Sequence, residues 1–188
     1  MHPSVAKLIE LMPPRPGAGD AIDWDHVAEH TGKRFPSDYR DFVAHYGAGS
    51  LNNSFWVGIP IDDDPGPWAP STLTSLTDHG FGLLRLKPGD DPDLTERISW
   101  ATDSSANHAF WDTADPDPDS WPVLVLARYG DWFPYNGGMA DFLVDLITNP
   151  DEMRMGVMAA EEPVFSFIHW REEQRLREAG EDPWTHLD

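Results

Sequence analysis

Two histidines four residues apart are the first side chains in this sequence whose spacing suits metal chemistry. His26 and His30 would lie on one face of a helix, with Asp23 one turn earlier, which is the geometry of a two-histidine metal edge. A metalloprotease-like site needs glutamate directly after the first histidine, and Val27 occupies that position. We therefore interpret the pair as surface histidines at a helix end and predict no metal ligand.

An alternating run of aspartates could supply ligands to calcium. Asp115, Asp117 and Asp119 mimic the first three ligands of a calcium loop, but two prolines intervene. Ser120 stands where such a loop needs glycine, and Leu126 stands where it needs a bidentate glutamate. The run is better interpreted as a hairpin turn.

Covalent catalysis has no candidate nucleophile in this sequence. Cysteine is absent, no Gly-x-Ser-x-Gly elbow occurs, and the stretch from Gly47 to Ser50 lacks the lysine and the spacing of a phosphate-binding loop. Among 33 acidic residues, carboxylate pairs at a glycosidase-like separation are expected by chance. We expect a protein that binds without catalysis and without a cofactor.

Carboxylates close to aromatic side chains are the features that most favour a partner-binding surface. Tryptophan would supply packing, and aspartate would supply steering and ion pairing with a basic protein. The alternative is that these are solvated loops with the tryptophans tucked beneath them. The candidate partner-binding residues are Asp62, Asp63, Asp64, Trp68, Asp90, Asp91, Asp93, Asp131 and Trp132.

Net charge points to the same kind of partner. The chain carries 33 acidic and 13 basic residues, a formal net charge of −20, and the excess lies mostly after residue 60. A field of this sign repels nucleic acid and anionic membranes and accelerates encounter with a basic protein. The alternative is that the charge only aids solubility or reflects a high-salt proteome.

Length and composition predict a soluble protein with one substantial core. The chain has 188 residues, of which 12% are aromatic, and no cysteine is available for a disulfide or a thiolate metal site. The N-terminus lacks the apolar run of a signal peptide, and no stretch is long enough to span a membrane. We expect a cytoplasmic protein, and the oligomeric state is left open.

The stretch from Ile22 to Gly49 predicts two short helices joined by a Phe-Pro step. Asp23 is available to cap the first helix, and Gly32 suits its end. Pro36 suits the opening turn of the second helix, which is followed by Gly47. The apolar stripes of both helices are predicted to be core, as are the tryptophans in periodic elements. These are Trp24, Val27, Ala28, Tyr39, Phe42, Val43, Tyr46, Trp100, Trp111 and Trp121.

Hydrophobic periodicity predicts the remaining elements. Helices are expected at about residues 4–12, in the segment that contains Phe142 and Leu146, and in the charged stretch 171–179. Strands are expected at 54–61, 81–86, 98–101, 106–112, 121–129 and 132–135. The spacing of the strands suggests a meander.

Four motifs in this order resemble a known family. The first is an acidic helix, a glycine, a hydrophobic-Pro-x-x-Tyr-x-x-Phe segment and a glycine-containing turn, from residue 22 to 49. It is followed by the strand 107–112 that ends in Trp-Asp, by the Asp-Pro turn 115–119 with the Trp-led strand 121–125, and by the Phe-Leu helix that opens at 138–143. Over roughly residues 20 to 150 the sequence resembles the SUKH superfamily.

The resemblance implies a fold. It implies an α+β domain at 1–150, in which N-terminal helices and a C-terminal helix cover an antiparallel-rich sheet of about five to six strands. Residues 151–188 would form a C-terminal extension with a charged helix that packs on the domain.

Members of the family include bacterial immunity proteins and fungal cell-wall regulators. The resemblance therefore implies a non-enzymatic immunity protein that neutralises a cognate toxin by occluding its active site. A basic nuclease-type toxin would be a natural target, since an acidic domain can imitate a polyanionic substrate. The alternative is a regulatory scaffold that docks onto an endogenous partner.

Overall fold

The computed structural model of the protein describes residues 1–60, 70–84, 92–157 and 164–185. Within these ranges the chain forms six α-helices and seven strands. The helices are α1 (Pro3–Leu11), α2 (Trp24–Thr31), α3 (Ser37–Tyr46), α4 (Leu73–Leu84), α5 (Met139–Thr148) and α6 (Trp170–Glu178). The strands are β1 (Gly49–Leu51), β2 (Phe55–Val57), β3 (Arg97–Asp103), β4 (His108–Asp112), β5 (Val123–Leu126), β6 (Trp132–Tyr135) and β7 (Phe167–His169).

All seven strands form one antiparallel sheet with the order β6-β5-β4-β3-β2-β1-β7. Strands β1 to β6 follow one another as a meander, and β7 returns to pair with β1. The predicted α+β class with an antiparallel sheet and flanking helices is confirmed. The strand number is seven rather than five to six, because both β1 and β7 are strands that the periodicity did not predict, whereas residues 81–84 belong to α4.

The first face of the sheet carries the main core, under α1, α3 and α5. Trp100 of β3 and Trp111 of β4 are fully buried there, with ring centroids 5.9 Å apart. Phe142 of α5 packs edge-on against Trp100 at 5.7 Å, and Tyr39 of α3 packs edge-on against Trp111 at 5.0 Å. Each such ring contributes about 2–3 kcal/mol through burial, so this aromatic layer is the main source of stability.

A bulge in β3 places two consecutive residues on this face. The register with β4 shifts between Ser99 and Ala101, so Trp100 is the extra residue. Trp100 and Ala101 both enter the main core, whereas Ser99 lies toward the other face, where its hydroxyl meets His108. The bulge therefore allows the largest side chain of β3 to face the helices without displacing Ala101.

Helix α4 covers part of the second face. Phe81 stacks on Phe110 of β4 with ring centroids 5.5 Å apart, and Leu94 and Leu126 complete this smaller core. Gly80 lies so close to the sheet that a Cβ atom there would be 2.8 Å from Phe110 Cζ. The absence of a side chain at Gly80 is what allows α4 to approach the strands.

The strand predicted at 81–86 is wrong, because residues 81–84 are the last turn of α4. Thr72 begins this helix, since its hydroxyl accepts a hydrogen bond from Ser75 N at 3.1 Å. The buried residues Leu73, Leu76, Gly80 and Phe81 then follow helical spacing. A short apolar run such as Phe-Gly-Leu-Leu fits a strand or a buried helix turn equally well, and here packing on Phe110 selects the helix.

A buried ion pair joins the C-terminal segment to the N-terminal half. Asp20 Oδ1 accepts hydrogen bonds from His169 Nε2 at 3.1 Å and Arg171 Nη1 at 2.9 Å, and Asp20 Oδ2 accepts from Ala48 N at 3.0 Å. His169 Nδ1 accepts from Arg171 N, so the ring hydrogen resides on Nε2. The sequence predicted that residues 151–188 form an extension. Within them, residues 164–185 contribute strand β7 to the sheet, and helix α6 contacts the sheet at Ser50.

Candidate binding groove

One row of side chains crosses the whole second face of the sheet. Its members lie directly opposite one another on neighbouring strands, so they share a face. The row runs through Ile168, Ser50, Trp56, Thr102, His108, Leu126 and Trp132. Helix α4 covers the His108 part of the row, and α6 reaches Ser50 through Glu173. The stretch around Trp56 and Thr102 lies between the two helices.

A groove follows this stretch between α4 and α6. Its volume is about 540 Å³, within the range of ligand-binding pockets. Trp56 and Thr102 line it from the sheet, Leu76 lines it from α4, and Glu173 and Arg177 line it from α6. The wall on the α4 side depends on Gly58, where a Cβ atom would lie 2.5 Å from Leu76 Cδ1 and 2.8 Å from Ser71 O.

Glu173 is held beside Trp56 by its neighbours. Glu173 Oε1 accepts from Arg177 Nη2 at 2.7 Å, and Glu173 Oε2 accepts from Ser50 Oγ at 3.2 Å. Ser50 is the direct cross-strand neighbour of Trp56, and such neighbours have Cβ atoms about 5 Å apart. Only 18% of the Glu173 side chain is exposed, so the carboxylate and the indole form one partly dry corner of the groove.

Trp170, the first residue of α6, closes the groove beside Glu173. Arg171 lies over its ring, with the guanidinium carbon 4.9 Å from the centroid. The indole Nε1 of Trp170 is buried and has no acceptor among the described residues. The groove side of this ring therefore presents carbon, which suits packing rather than hydrogen bonding.

These groups suit binding better than bond cleavage. The aromatic rings offer large packing surfaces, and Glu173 offers charge that Arg177 partly compensates. His108, in the same row, is fully buried under α4, and this burial lowers its pKa to about 4, with the nearby His79 adding to the effect. A histidine shielded in this way does not reach a ligand in the groove.

None of the candidate partner-binding residues that the structure describes lines this groove. Asp131 is exposed in the β5–β6 turn, and Trp132 is half-buried, with Arg97 over its ring at 4.2 Å and Phe110 against its edge at 5.1 Å. Asp93 lies in the 3-10 helix Pro92–Glu96. The other six residues, Asp62, Asp63, Asp64, Trp68, Asp90 and Asp91, are outside the described residues.

Sequence reasoning missed Trp56 and Glu173 as members of one site. The alternation of Phe55 and Val57 toward the main core was a usable signal, because it places Trp56 on the opposite face. No comparable signal existed for Glu173, since the position of α6 depends on how β7 pairs with β1.

Exposed carboxylates flank one aromatic cluster, over which Lys33 also lies, with its Nζ atom 5.9 Å from the centroid of the Trp121 ring. Asp119 Oδ1 accepts from Ser37 N at 2.6 Å, which ties the β4–β5 turn to the start of α3. Phe35 contacts both Trp24 of α2 and Trp121 at 6.3 and 6.4 Å between centroids, so α2 lies beside the same turn. We call this surface the acidic end. It consists of Asp23, Asp25, Glu29, Asp115, Asp117 and Asp119, all exposed.

Local hydrogen bonds order the carboxylates of the acidic end. Asp23 caps α2 by accepting from Asp25 N and His26 N, both at 3.1 Å. Asp115 and Asp117 each accept from the backbone two residues later, so the Asp-Pro run is a series of tight turns. The interpretation of this run as a turn between strands agrees with the structure.

The two histidines of α2 lie on the exposed side of this end. Their rings are 6.3 Å apart, and both residues are exposed. Across the described ranges, no group of three or more His, Asp or Glu side chains is placed to hold a metal ion. Nor does the described part of the chain contain a helix long and apolar enough to cross a membrane.

Comparison of the chain with protein-family models, with curated proteins and with solved structures returns no match. The resemblance of its motifs to the SUKH superfamily therefore stays a prediction.

Proposed function

We propose that this protein is a cytoplasmic, non-enzymatic immunity protein that binds a cognate bacterial toxin and occludes its active site. The toxin is proposed to be basic, with a nuclease as the expected class. The observation that carries the proposal is the acidic end, where six exposed carboxylates flank the cluster of Trp24, Phe35 and Trp121 in a chain whose net charge is −20.

Two physical arguments support a protein partner for this surface. A rigid array of carboxylates can imitate the phosphates of a nucleic-acid substrate and can attract a basic active site at long range. The aromatic side chains Trp24, Phe35 and Trp121 pack directly behind the carboxylates, so the array is held on a firm base. Rigid positioning lowers the entropic cost of association.

The order of the four family-like motifs supports a binding function of the kind that the SUKH superfamily has. The motifs mark core positions such as Tyr39, Phe42 and Trp111 rather than a reactive site. The motifs therefore support the proposed family, and the net charge supports a basic partner.

A binding assay with toxin domains encoded beside this gene tests the proposal. Nanomolar or tighter binding that weakens as salt rises is expected, together with loss of toxin activity in the complex. If every neighbouring toxin-like domain fails to bind, the immunity proposal is wrong. Capture of an endogenous partner with no toxin neutralised would support the scaffold alternative instead.

A matched pair of variants locates the interface. Changing Asp115, Asp117 and Asp119 together to asparagine removes three charges while keeping a carbonyl oxygen for each turn hydrogen bond. We expect toxin binding to weaken at least about tenfold, mainly through slower association. The control changes exposed Asp151, Glu152 and Glu181 to their amides, which also removes three charges, and equal weakening in both variants would show that the acidic end is not in the interface.

A further inference from the structure

We propose that the groove between α4 and α6 is a second contact site, which binds an arginine or lysine side chain of the protein partner between Trp56 and Glu173. The proposal rests on the proposed function for the partner's basic character. It adds a binding site whose chemistry differs from the charge array of the acidic end, because the groove is aromatic and partly dry.

Trp56 is the aromatic part of this site. Its side chain is half-buried, and it lines the groove from the middle of the sheet. Five other aromatic rings in the described ranges already have a cation over them: Trp121, Trp132, Tyr129, Phe133 and Trp170. Among the described residues, no Lys or Arg lies over Trp56, which leaves this ring without a cation partner in that part of the chain.

Glu173 is the charged part of this site. Its Oε2 atom has Ser50 Oγ at 3.2 Å, and a carboxylate oxygen accepts more than one hydrogen bond. The Oε1 atom is held by Arg177, which fixes the carboxylate against the sheet. A planar guanidinium could therefore stack on Trp56 and donate to Glu173 Oε2 without breaking the intramolecular ion pair.

The chemistry of the groove selects a cation over an anion or a neutral ring. An anion would meet the carboxylate of Glu173 and the negative field of the whole chain, which carries −20. A neutral ring would gain packing on Trp56 but would leave Glu173 partly desolvated with nothing in exchange. A cation gains from the ring, from the carboxylate and from the long-range field.

A small-molecule titration tests the site without the toxin. The probe is Nα-acetyl-arginine N-methylamide, followed through the indole N–H resonances of the protein. We expect a saturable shift of the Trp56 indole resonance at millimolar probe, and a much smaller shift with the uncharged citrulline analogue. Equal shifts with both probes, or no shift with either, would overturn the cation site.

Variants assign the two contacts. Trp56→Leu is expected to weaken binding of the arginine probe about tenfold, and Glu173→Gln about fivefold. Glu181→Gln, at an exposed position just after the same helix and outside the groove lining, should leave affinity unchanged. If Trp56→Leu fails to fold, the comparison of arginine and citrulline on the unaltered protein still decides the question.

The outcome is separable from that of the proposed function. If a toxin binds but the arginine probe does not shift the Trp56 resonance, the immunity proposal is supported and the cation site in the groove is wrong. Probe binding at Trp56 without any toxin partner would keep the cation site and remove the immunity function.

Discussion

Asp20 shows how a single buried charge can connect distant parts of the chain. It is 7% exposed, and its carboxylate receives hydrogen bonds from His169, Arg171 and the Ala48 backbone. Burial opposes ionisation of the carboxyl group, but the hydrogen bonds from His169 and Ala48 and the nearby guanidinium of Arg171 outweigh it and lower the pKa of Asp20. The ionised form is therefore the one that the folded protein stabilises.

We expect Asp20→Asn to lower the free energy of unfolding by about 2 kcal/mol, because the ion pair with Arg171 is lost and an amide has only one acceptor oxygen for donors that now use two. Urea unfolding at pH 7 measures the change. The matched control is Asp23→Asn, which keeps the helix cap at an exposed position and should have little effect. Equal stability of both variants would show that the Asp20 pair contributes nothing net.

His108 should make stability fall on mild acidification. Its pKa is about 4 in the folded protein against 6.5 when unperturbed, because burial and then His79 disfavour the charged ring, while Asp103 acts weakly in the opposite sense. Below pH 6.5 the unfolded chain takes up the proton first, so stability declines from about pH 6.5 down to about pH 4. The loss amounts to roughly 3 kcal/mol at 1.4 kcal/mol per pKa unit.

Urea unfolding of the unaltered protein and of His108→Gln, across pH 4 to 7.5, measures this contribution. The variant should show a flatter profile in that window. The contribution of Asp20 changes at lower pH. Because the pKa of this carboxyl group is lower in the folded protein than its unfolded value of 3.8, the ionised carboxylate stabilises the fold above pH 3.8, and this stabilisation is lost as the pH falls further. Parallel profiles for the two proteins between pH 4 and 6.5 would contradict the role of His108.

Helix α4 offers a matched test at the scale of an element. Gly80→Ala would place a Cβ atom 2.8 Å from Phe110 Cζ, whereas Gly82→Ala meets nothing within 4 Å. Alanine favours a helix over glycine by about 1 kcal/mol, so Gly82→Ala should stabilise by up to that amount. Gly80→Ala should instead destabilise by about 1–3 kcal/mol through overpacking.

Thermal and urea unfolding measure the stability of the two variants. If α4 packs on β4 as described, the free energy of unfolding rises in Gly82→Ala and falls in Gly80→Ala. Stabilisation by both substitutions would show that the helix can move away from the sheet at little cost. The strand that the sequence predicts over 81–86 makes a different forecast for Gly82→Ala, because alanine at that position would then lie in a strand and have no helix propensity to gain.

Elements with a strong period of their own were predictable, and elements defined by a neighbour were not. The helices at 3–11 and 37–46 and the strand at 123–126 have repeating apolar spacing, and each was placed within a few residues. β7 is three residues long, too short for any period to stand out. It is a strand because β1 offers an unpaired edge, which is a tertiary fact.

The charge of the whole molecule should weaken its stability at low salt. A net charge of −20 on a chain of 188 residues produces self-repulsion that the folded state concentrates. Raising NaCl from 10 mM to 0.5 M shortens the Debye length from about 30 Å to a few Å, so we expect the free energy of unfolding to rise by about 1 kcal/mol or more.

Urea unfolding at pH 7 in the two salt concentrations measures this effect, and potassium acetate in place of NaCl controls for specific ion binding. A fall in stability with salt would mean that favourable ion pairs outweigh the repulsion. The structure argues against that outcome, because ion pairs such as Lys7–Glu10 and Arg175–Glu172 are exposed and close in sequence.

The sequence alone determined the class of fold, much of the core and the net charge of the molecule. Apolar periodicity is a local property of the chain, and net charge is a sum over its residues. The burial of Trp100, Trp111 and Trp121 and the net charge of −20 could therefore be obtained from the sequence directly. Only the tertiary structure decided where binding groups meet. Trp56 and Glu173 are 117 positions apart along the chain, and the pairing of β7 with β1 brings them to one groove. Such a meeting depends on sheet order, which no local pattern encodes.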